Sequence, residues 1–255
     1  RFLQEQSWNI LRELSDDNGY GVSRNSFDHE LWFDDISRKN KVLLVGNSHS
    51  KDVFNILHQS NMFSSRNQVA RFGEQIKNLN ASHDFWKSKN YIAADKIVIA
   101  TRYGPKDIEL LPNIIERVQR DDKEILLVLN IFEFPGEASG YSLIDKVVRS
   151  NVGTSLEALV FEVNRSYFEY FSSSDNNRSS SLNAKLSQIA NDFGIPTLNR
   201  MDYVCNVEIE LCFAVDVDMS KNFYDYGHHT ISGSQYFSQQ PGFEKFIQPL
   251  LSGNK

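Results

Sequence analysis

The stretch that most constrains this chain is an apolar run that ends on a glycine and is followed by a serine. Residues 42–45 read Val-Leu-Leu-Val, Gly46 comes next, and Ser48 follows two positions later. A run without alternation is typical of a strand buried on both faces, and residues 50–59 can form a helix after the turn. Such a junction lies at the carboxyl edge of a sheet, beside the amides of a helix N-terminus. A serine there can act as a nucleophile, or it can simply cap the helix.

Strands and helices alternate along the rest of the chain. Further helices are predicted over residues 108–119 and 182–193, and another from about Glu74. Such alternation predicts an α/β fold, a three-layer sandwich in which a central parallel sheet is flanked by helices on both sides. The predicted strands cover residues 41–45, 69–72, 97–100, 124–130 and 195–198.

The sequence predicts one main domain, residues 41–255, preceded by an extension over residues 1–40 that packs on it. An amphipathic helix is expected over residues 1–17, and irregular structure after it. The chain begins at Arg1, without an initiator Met or the apolar region of a signal peptide. We therefore expect a processed chain or an excised domain.

Composition argues against two classes of partner. Charged residues make up 24% of the chain and hydrophobic residues 40%, as in ordinary globular proteins, and the formal net charge is −6. No long Lys/Arg run is present, so no nucleic-acid partner is expected. No stretch approaches the roughly 18 consecutive apolar residues of a membrane span.

The two cysteines, Cys205 and Cys212, lie seven positions apart. Their closeness in a loop-like region favours a local disulfide and hence an oxidising compartment. The alternative is a pair of free thiols. Two cysteines alone cannot form a four-ligand zinc site.

A second chemically loaded stretch lies near the C-terminus, where Asp225 precedes His228 by three residues. If the segment turns, the carboxylate can accept a hydrogen bond from one imidazole nitrogen and leave the other nitrogen as a base. With Ser48, these residues predict a triad in the chain order Ser, Asp, His. The alternative is a surface histidine beside a carboxylate. No metal site is expected, because the adjacent His228 and His229 should point apart.

In these two stretches the sequence resembles the SGNH (GDSL-type) hydrolase family. Residues 46–50, Gly-Asn-Ser-His-Ser, are similar to the family's Gly-Asp-Ser-His block, and residues 225–228 are similar to its Asp-x-x-His block. Asn47 stands where the family usually has Asp, and the family's Gly-x-Asn-Asp block is not visible.

The details resemble one subgroup, the SGNH domain fused behind the membrane acyltransferase-3 domain of bacterial O-acetyltransferases. The shared features are His49 after the serine, an arginine after the third strand, a cysteine pair before the Asp-x-x-His block, and a Thr and a Gly after the histidine. In this chain the arginine is Arg102 and the last two are Thr230 and Gly233. His229 replaces a residue that is commonly apolar.

This resemblance implies an SGNH/flavodoxin-like fold and an enzyme without cofactors. Ser48, His228 and Asp225 would be catalytic. The oxyanion would be held by the Ser48 amide, the Gly73 amide and Arg102. His49 and Tyr226 are candidates for substrate binding.

The resemblance also implies a reaction and a place. We expect O-acetylation of a cell-surface polysaccharide, with an acyl donor and a glycan acceptor as partners. An integral-membrane acyltransferase domain would be fused or associated, in a periplasmic or otherwise extracytoplasmic location tethered to the inner membrane. One alternative is a free-standing carbohydrate O-acetyl esterase, and a second is a glycan-binding module without catalysis.

Overall fold

The computed structural model describes residues 10–13, 33–34, 36–135, 142–173 and 177–252, the side chains of 177–179 excepted. The strands are β1 (Asn40–Val45), β2 (Asn67–Phe72), β3 (Lys96–Ile99), β4 (Glu124–Val128), β5 (Thr197–Leu198), β6 (Cys205–Asn206) and β7 (Leu211–Cys212). The helices are α1 (Ser48–Gln59), α2 (Asn61–Ser64), α3 (Lys89–Ala93), α4 (Pro105–Arg120), α5 (Leu143–Ser150), α6 (Leu156–Ser172), α7 (Asn177–Phe193), α8 (Met201–Val204), α9 (Ile231–Phe237) and α10 (Pro241–Leu251).

The first five strands form one sheet, and every pairing within it is parallel. Their order is β2-β1-β3-β4-β5. The chain leaves β1 in one direction to form β2 and returns past it to form β3. In sheets of this kind the crevice outside the carboxyl ends of those strands binds ligands. The α/β sandwich predicted from the sequence is therefore confirmed.

Each face of the sheet carries its own apolar core, because neighbouring strand residues point to opposite faces. Val42 and Leu44 of β1 pack with α1 and the C-terminal helices α9 and α10. Leu43 and Val45 pack on the other face, with α4 and α7. Burial on both faces is what the unbroken apolar runs predict.

The helix predicted from Glu74 does not form, and that prediction is wrong. In its place the chain makes two short 3-10 segments, Ile76–Asn78 and Asp84–Lys87. The Asn80 Oδ1 atom accepts a hydrogen bond from the amide of Ser82, 3.0 Å away. Such local side-chain bonds offer the backbone an alternative to a continuous helix.

The N-terminal extension lies mostly outside the described residues. Of the helix predicted over residues 1–17, only residues 10–13 are described, and they are helical. Phe33 is buried, and its amide donates to the Asn90 side chain at 3.1 Å. A contact of this sort agrees with a lead-in that packs on the domain, but the division at residue 40 stays a prediction.

Cys205 and Cys212 are joined by a disulfide that closes the β6–β7 hairpin. The predicted pairing is therefore present in the structure. Among the described helices, none is both long enough and apolar enough to cross a membrane.

Candidate active site

The turn after β1 brings the backbone unusually close to the neighbouring strand. Gly46 has a φ of 153°, and a Cβ atom there would collide with the carbonyl group of Ala100. Only glycine fits this approach. Helix α1 then begins at Ser48, whose side chain is exposed at the carboxyl edge of the sheet.

Asn47 is the N-cap of α1 and ties two segments together. Its Oδ1 atom accepts hydrogen bonds from the amides of His49, at 3.1 Å, and Arg102, at 3.2 Å. The first bond caps the helix, and the second holds the segment after β3 beside the serine turn. Both bonds use a side-chain oxygen, which Asp could also supply.

Ser48, His228 and Asp52 form a continuous chain of hydrogen-bonding groups. The Ser48 Oγ atom lies 3.2 Å from His228 Nε2, and His228 Nδ1 lies 2.8 Å from Asp52 Oδ2. Asp52 follows Ser48 by four residues on α1, so the two side chains share one helix face. The Asp52 side chain is fully buried, whereas His228 is 6% exposed.

The sequence predicts that Asp225 holds His228, but the carboxylate at the Nδ1 atom belongs to Asp52. The Asp225 Oδ1 atom accepts instead from two backbone amides, that of Gly227 at 3.0 Å and that of His228 at 2.8 Å. Segment 225–228 curls tightly enough for the carboxylate to bind the amides of its own turn. The Nδ1 atom of His228 instead faces Asp52 on α1.

A fully buried arginine, Arg200, lies behind this chain of groups. Its guanidinium contacts His49 Nδ1 at 3.1 Å, Asp52 Oδ2 at 3.1 Å and His229 Nε2 at 3.0 Å. It is 1% exposed and also donates to the hydroxyl of Tyr203 and the carbonyl of Gly227. Three histidines thus surround one aspartate and one arginine.

The surroundings shift the pKa values of these groups in opposite directions. Burial would raise the pKa of Asp52, but the charges of His228 and Arg200 and the bond to His228 hold it well below its usual range. Burial opposes protonation of His228, yet Asp52 outweighs burial and raises the pKa of His228. For His49 and His229, burial together with Arg200 lowers the pKa well below the usual value. His228 is thus the imidazole best suited to accept a proton.

Two of the three predicted oxyanion donors lie at one edge of the sheet. Phe72 pairs with Val45, so Gly73 and Gly46 are neighbours just beyond the strand ends. Within the described ranges, neither the Ser48 amide nor the Gly73 amide has a hydrogen-bond partner. Both amides therefore stay candidates for holding an oxyanion.

The third predicted donor, the Arg102 side chain, is already engaged. Its guanidinium makes two hydrogen bonds to the carboxylate of Glu133, one of them 2.6 Å long from Nη2 to Oε2. Its carbon also lies 5.2 Å from the ring centre of Tyr226. The guanidinium therefore lies at the side of the site, bound to a carboxylate.

The two candidate substrate-binding residues differ in exposure. Tyr226 is half-buried, and its ring centre lies 5.6 Å from that of His228. His49 is only 4% exposed, and its ring centre lies 4.4 Å from that of His228. Of the two, Tyr226 is the one with surface to offer a ligand.

The ligand-type atoms of His49, Asp52 and His228 come within 4.8 Å of one another, the spacing a metal ion could use. This set does not suit a cation. The Arg200 guanidinium contacts both His49 and Asp52, and Asp52 Oδ2 already binds two donors. A metal ion there would lie next to a fixed positive charge.

Sequence reasoning missed Asp52 and Arg200. A signal for Asp52 existed, because an acidic residue four positions after a candidate nucleophile shares its helix face. Arg200 follows β5 by two residues, so the rule that ligand-binding residues follow parallel strands would have included it.

By sequence, the chain matches no family model and no curated protein. By structure, it is similar to the periplasmic domain of a lipopolysaccharide acetyltransferase from Salmonella ser. Paratyphi A. The TM-score is 0.57 and the identity 14%, over 85% of each chain. A GDSL-like lipase from Bacteroides thetaiotaomicron aligns over 88% of this chain and 95% of its own, at 14% identity and a TM-score of 0.45. The chain thus shares the fold of the Salmonella acetyltransferase periplasmic domain.

Proposed function

We propose that this domain catalyses acyl transfer through Ser48, His228 and Asp52. The observation that carries the proposal is the continuous path from the Ser48 hydroxyl through His228 to a buried carboxylate. This path has the order of donors and acceptors that a serine nucleophile needs. We assign the acidic position to Asp52 on that geometry and give Asp225 the task of shaping the turn that carries His228.

The reaction proceeds in two halves. His228 takes the Ser48 proton through Nε2 while Ser48 Oγ attacks the acyl carbonyl, and the oxyanion is stabilised by the amides of Ser48 and Gly73. The carbonyl re-forms as the leaving group departs with the proton from His228, which leaves Ser48 acylated. An acceptor hydroxyl then attacks the acyl carbonyl while His228 takes its proton. The bond from the acyl carbon to Ser48 Oγ breaks, the acyl group stays on the acceptor oxygen, and His228 returns the proton to Ser48 Oγ.

The acyl group is acetyl and the acceptor a cell-surface polysaccharide. The family resemblance and the fold shared with the Salmonella lipopolysaccharide acetyltransferase domain support this choice. The disulfide supports an extracytoplasmic location. In the proposed setting, the domain receives its acyl group from an integral-membrane acyltransferase domain, and Tyr226 presents an aromatic face to a sugar ring.

Hydrolysis of 4-nitrophenyl acetate tests the chemistry, because water can replace the acceptor. We expect Ser48→Ala and His228→Ala each to abolish turnover while the melting temperature stays near that of the wild type. Labelling by a fluorophosphonate probe should likewise require Ser48. A wild-type protein that is folded but unlabelled would favour the glycan-binding alternative.

Matched controls separate the site from general damage. Ser65 follows the last residue of α2, and His58 lies on α1. Both side chains are exposed. Ser65→Ala and His58→Ala should keep wild-type turnover and labelling. Equal losses in the control and the site variants would contradict the assignment.

Transfer and hydrolysis differ in what consumes the acyl-enzyme. A transferase should release 4-nitrophenol faster when a polysaccharide acceptor is added, and the acetyl group should appear on the sugar by mass spectrometry. An esterase should instead remove acetyl groups from an acetylated polysaccharide and be insensitive to a bare one.

A further inference from the structure

Arg200 contacts three ionisable groups on the buried side of the site: His49, His229 and Asp52. It reaches His49 Nδ1, His229 Nε2 and Asp52 Oδ2 at 3.0–3.1 Å. It is 1% exposed and itself follows β5, so it is held within the core and not on a mobile loop. The cluster is therefore fixed by tertiary packing.

The chemistry of a guanidinium sets the protonation of its imidazole partners. Arginine can donate hydrogen bonds but cannot accept them. Any imidazole nitrogen bound to it must therefore carry a lone pair and no proton. His49 is thereby neutral with its proton on Nε2, and His229 is neutral with its proton on Nδ1.

Of the three histidines, His228 is the one to which this constraint does not apply, because its ring nitrogens face Ser48 and Asp52. Its Nδ1 faces the carboxylate of Asp52 and its Nε2 faces Ser48, so it can be neutral or doubly protonated. Burial and Arg200 lower the pKa of His49 and His229, in agreement with the geometry. Within the described residues, the charged and titratable groups that face the three imidazoles are Asp52 and Lys51 on α1, Arg102 after β3, Arg200 after β5, Tyr203 on α8, and Tyr224, Asp225 and Tyr226 in the C-terminal segment.

We propose that Arg200 is a positioning residue that holds His49 and His229 in single neutral tautomers, so that His228 alone exchanges a proton at this site. The tautomer assignment stands on the contacts of Arg200. The statement that the proton comes from Ser48 rests on the proposed function. Without Arg200, three imidazoles would compete for the charge of one aspartate.

Long-range ¹H–¹⁵N correlation spectra of the folded protein test the assignment directly. The variants His49→Gln and His229→Gln each lack one imidazole, so the signals that disappear from each spectrum belong to the histidine that was replaced. We expect unprotonated Nδ1 in His49 and unprotonated Nε2 in His229 from about pH 5 to about pH 8, the interval in which imidazoles usually titrate. His228 should titrate within or near it. Titration of His49 or His229 there, or the opposite tautomer, would overturn the proposal.

Two substitutions separate the charge of Arg200 from its shape. In Arg200→Gln the charge is lost, and we expect at least one of His49 and His229 to begin to titrate. Arg200→Lys keeps the charge and should keep both imidazoles neutral. If the Gln variant titrates like the wild type, Arg200 does not set these states. If it fails to fold, the wild-type tautomers and the Lys variant decide.

Arg71 provides the matched control. It is also a buried arginine at this site, and it donates to Ser50 Oγ at 2.6 Å and to the Asn47 carbonyl at 3.2 Å. Arg71→Gln should leave the imidazole tautomers as they are in the wild type. Because the spectra do not depend on turnover, a correct tautomer pattern in a protein without esterase activity would sink the proposed function and leave the role of Arg200 standing.

Discussion

At the scale of single residues, the site depends on a buried charge. Asp52 is fully buried, yet both of its oxygens are bound: Oδ2 by His228 and Arg200, and Oδ1 by the amide of His229. A buried carboxylate is tolerable only with such partners. Asp52 therefore belongs to the core and to the site at once.

The first prediction compares the two aspartates. Asp52→Asn should lower kcat/KM for 4-nitrophenyl acetate by about 10³-fold or more, because an amide can neither orient nor stabilise the imidazolium as a carboxylate does. Asp225→Asn should cost much less, since its Oδ1 can still accept from the amides of Gly227 and His228. Melting curves of both variants control for folding. The reverse order of effects would return the acidic role to Asp225.

The second prediction concerns pH. The pKa of His228 is raised by Asp52, and only neutral His228 can take the Ser48 proton. The rate should therefore increase with pH, with its midpoint above the usual histidine value of about 6.5. In Asp52→Asn the midpoint should move down, because the group that raises the pKa is gone. A pH–kcat/KM profile measures both, and an unmoved midpoint would show that another group sets it.

At the scale of elements, the N-terminal half of α1 does most of the positioning. It carries Ser48, His49 and Asp52. Its N-cap residue, Asn47, accepts a hydrogen bond from the amide of Arg102 and so ties the helix to the segment that follows β3. Gly46 lets β1 approach the Ala100 carbonyl so that the helix starts where the strand stops. The proposed nucleophile, Ser48, is thus held in place by the sheet.

The third prediction tests that fastening. Asn47→Ala removes the acceptor for the amides of His49 and Arg102 and should lower the free energy of unfolding by about 1–2 kcal/mol, the usual cost of losing an N-cap. Asn47→Asp retains an oxygen acceptor and should cost much less. Chemical denaturation measures both. Equal losses would mean that the amide group of Asn47, and not its oxygen, matters.

At the scale of the whole molecule, two apolar cores lie on opposite faces of one sheet, and the candidate active site lies at the carboxyl ends of its strands. Helices α1, α9 and α10 cover one face, while α4 and α7 cover the other. The β6–β7 hairpin with its disulfide belongs to the α1 side, and both of its cysteines are buried. Stability of this face should therefore depend partly on the disulfide.

The fourth prediction follows from the small loop that the disulfide closes. Cys205 and Cys212 are seven positions apart, for which loop-closure entropy gives about 2.5 kcal/mol of stabilisation. The double variant Cys205→Ala, Cys212→Ala should lose about that free energy of unfolding and keep a folded active site. Denaturation under oxidising and reducing conditions measures it. A wild type that is equally stable in both would contradict the expectation.

Much of the architecture could be read from local pattern. The parallel strands follow from unbroken apolar runs such as residues 42–45, and α4 and α7 follow from helical periodicity. The segment after β2 could not be read this way. A helix is predicted there, but local side-chain bonds such as that from the Ser82 amide to Asn80 Oδ1 offer the backbone an alternative to a continuous helix.

By itself, the sequence determined the strand-turn-helix that exposes Ser48 and identified His228 as its partner, since both depend on local chemistry. Only the tertiary structure decided which carboxylate contacts His228 and which residue, Arg200, contacts that carboxylate from the buried side. Asp52 and His228 are 176 positions apart, and Asp52 and Arg200 are 148 apart. Their meeting depends on where the sheet places α1, the end of β5 and the C-terminal turn. A local motif such as Asp-x-x-His cannot carry that information, because the direction of the imidazole is set by packing.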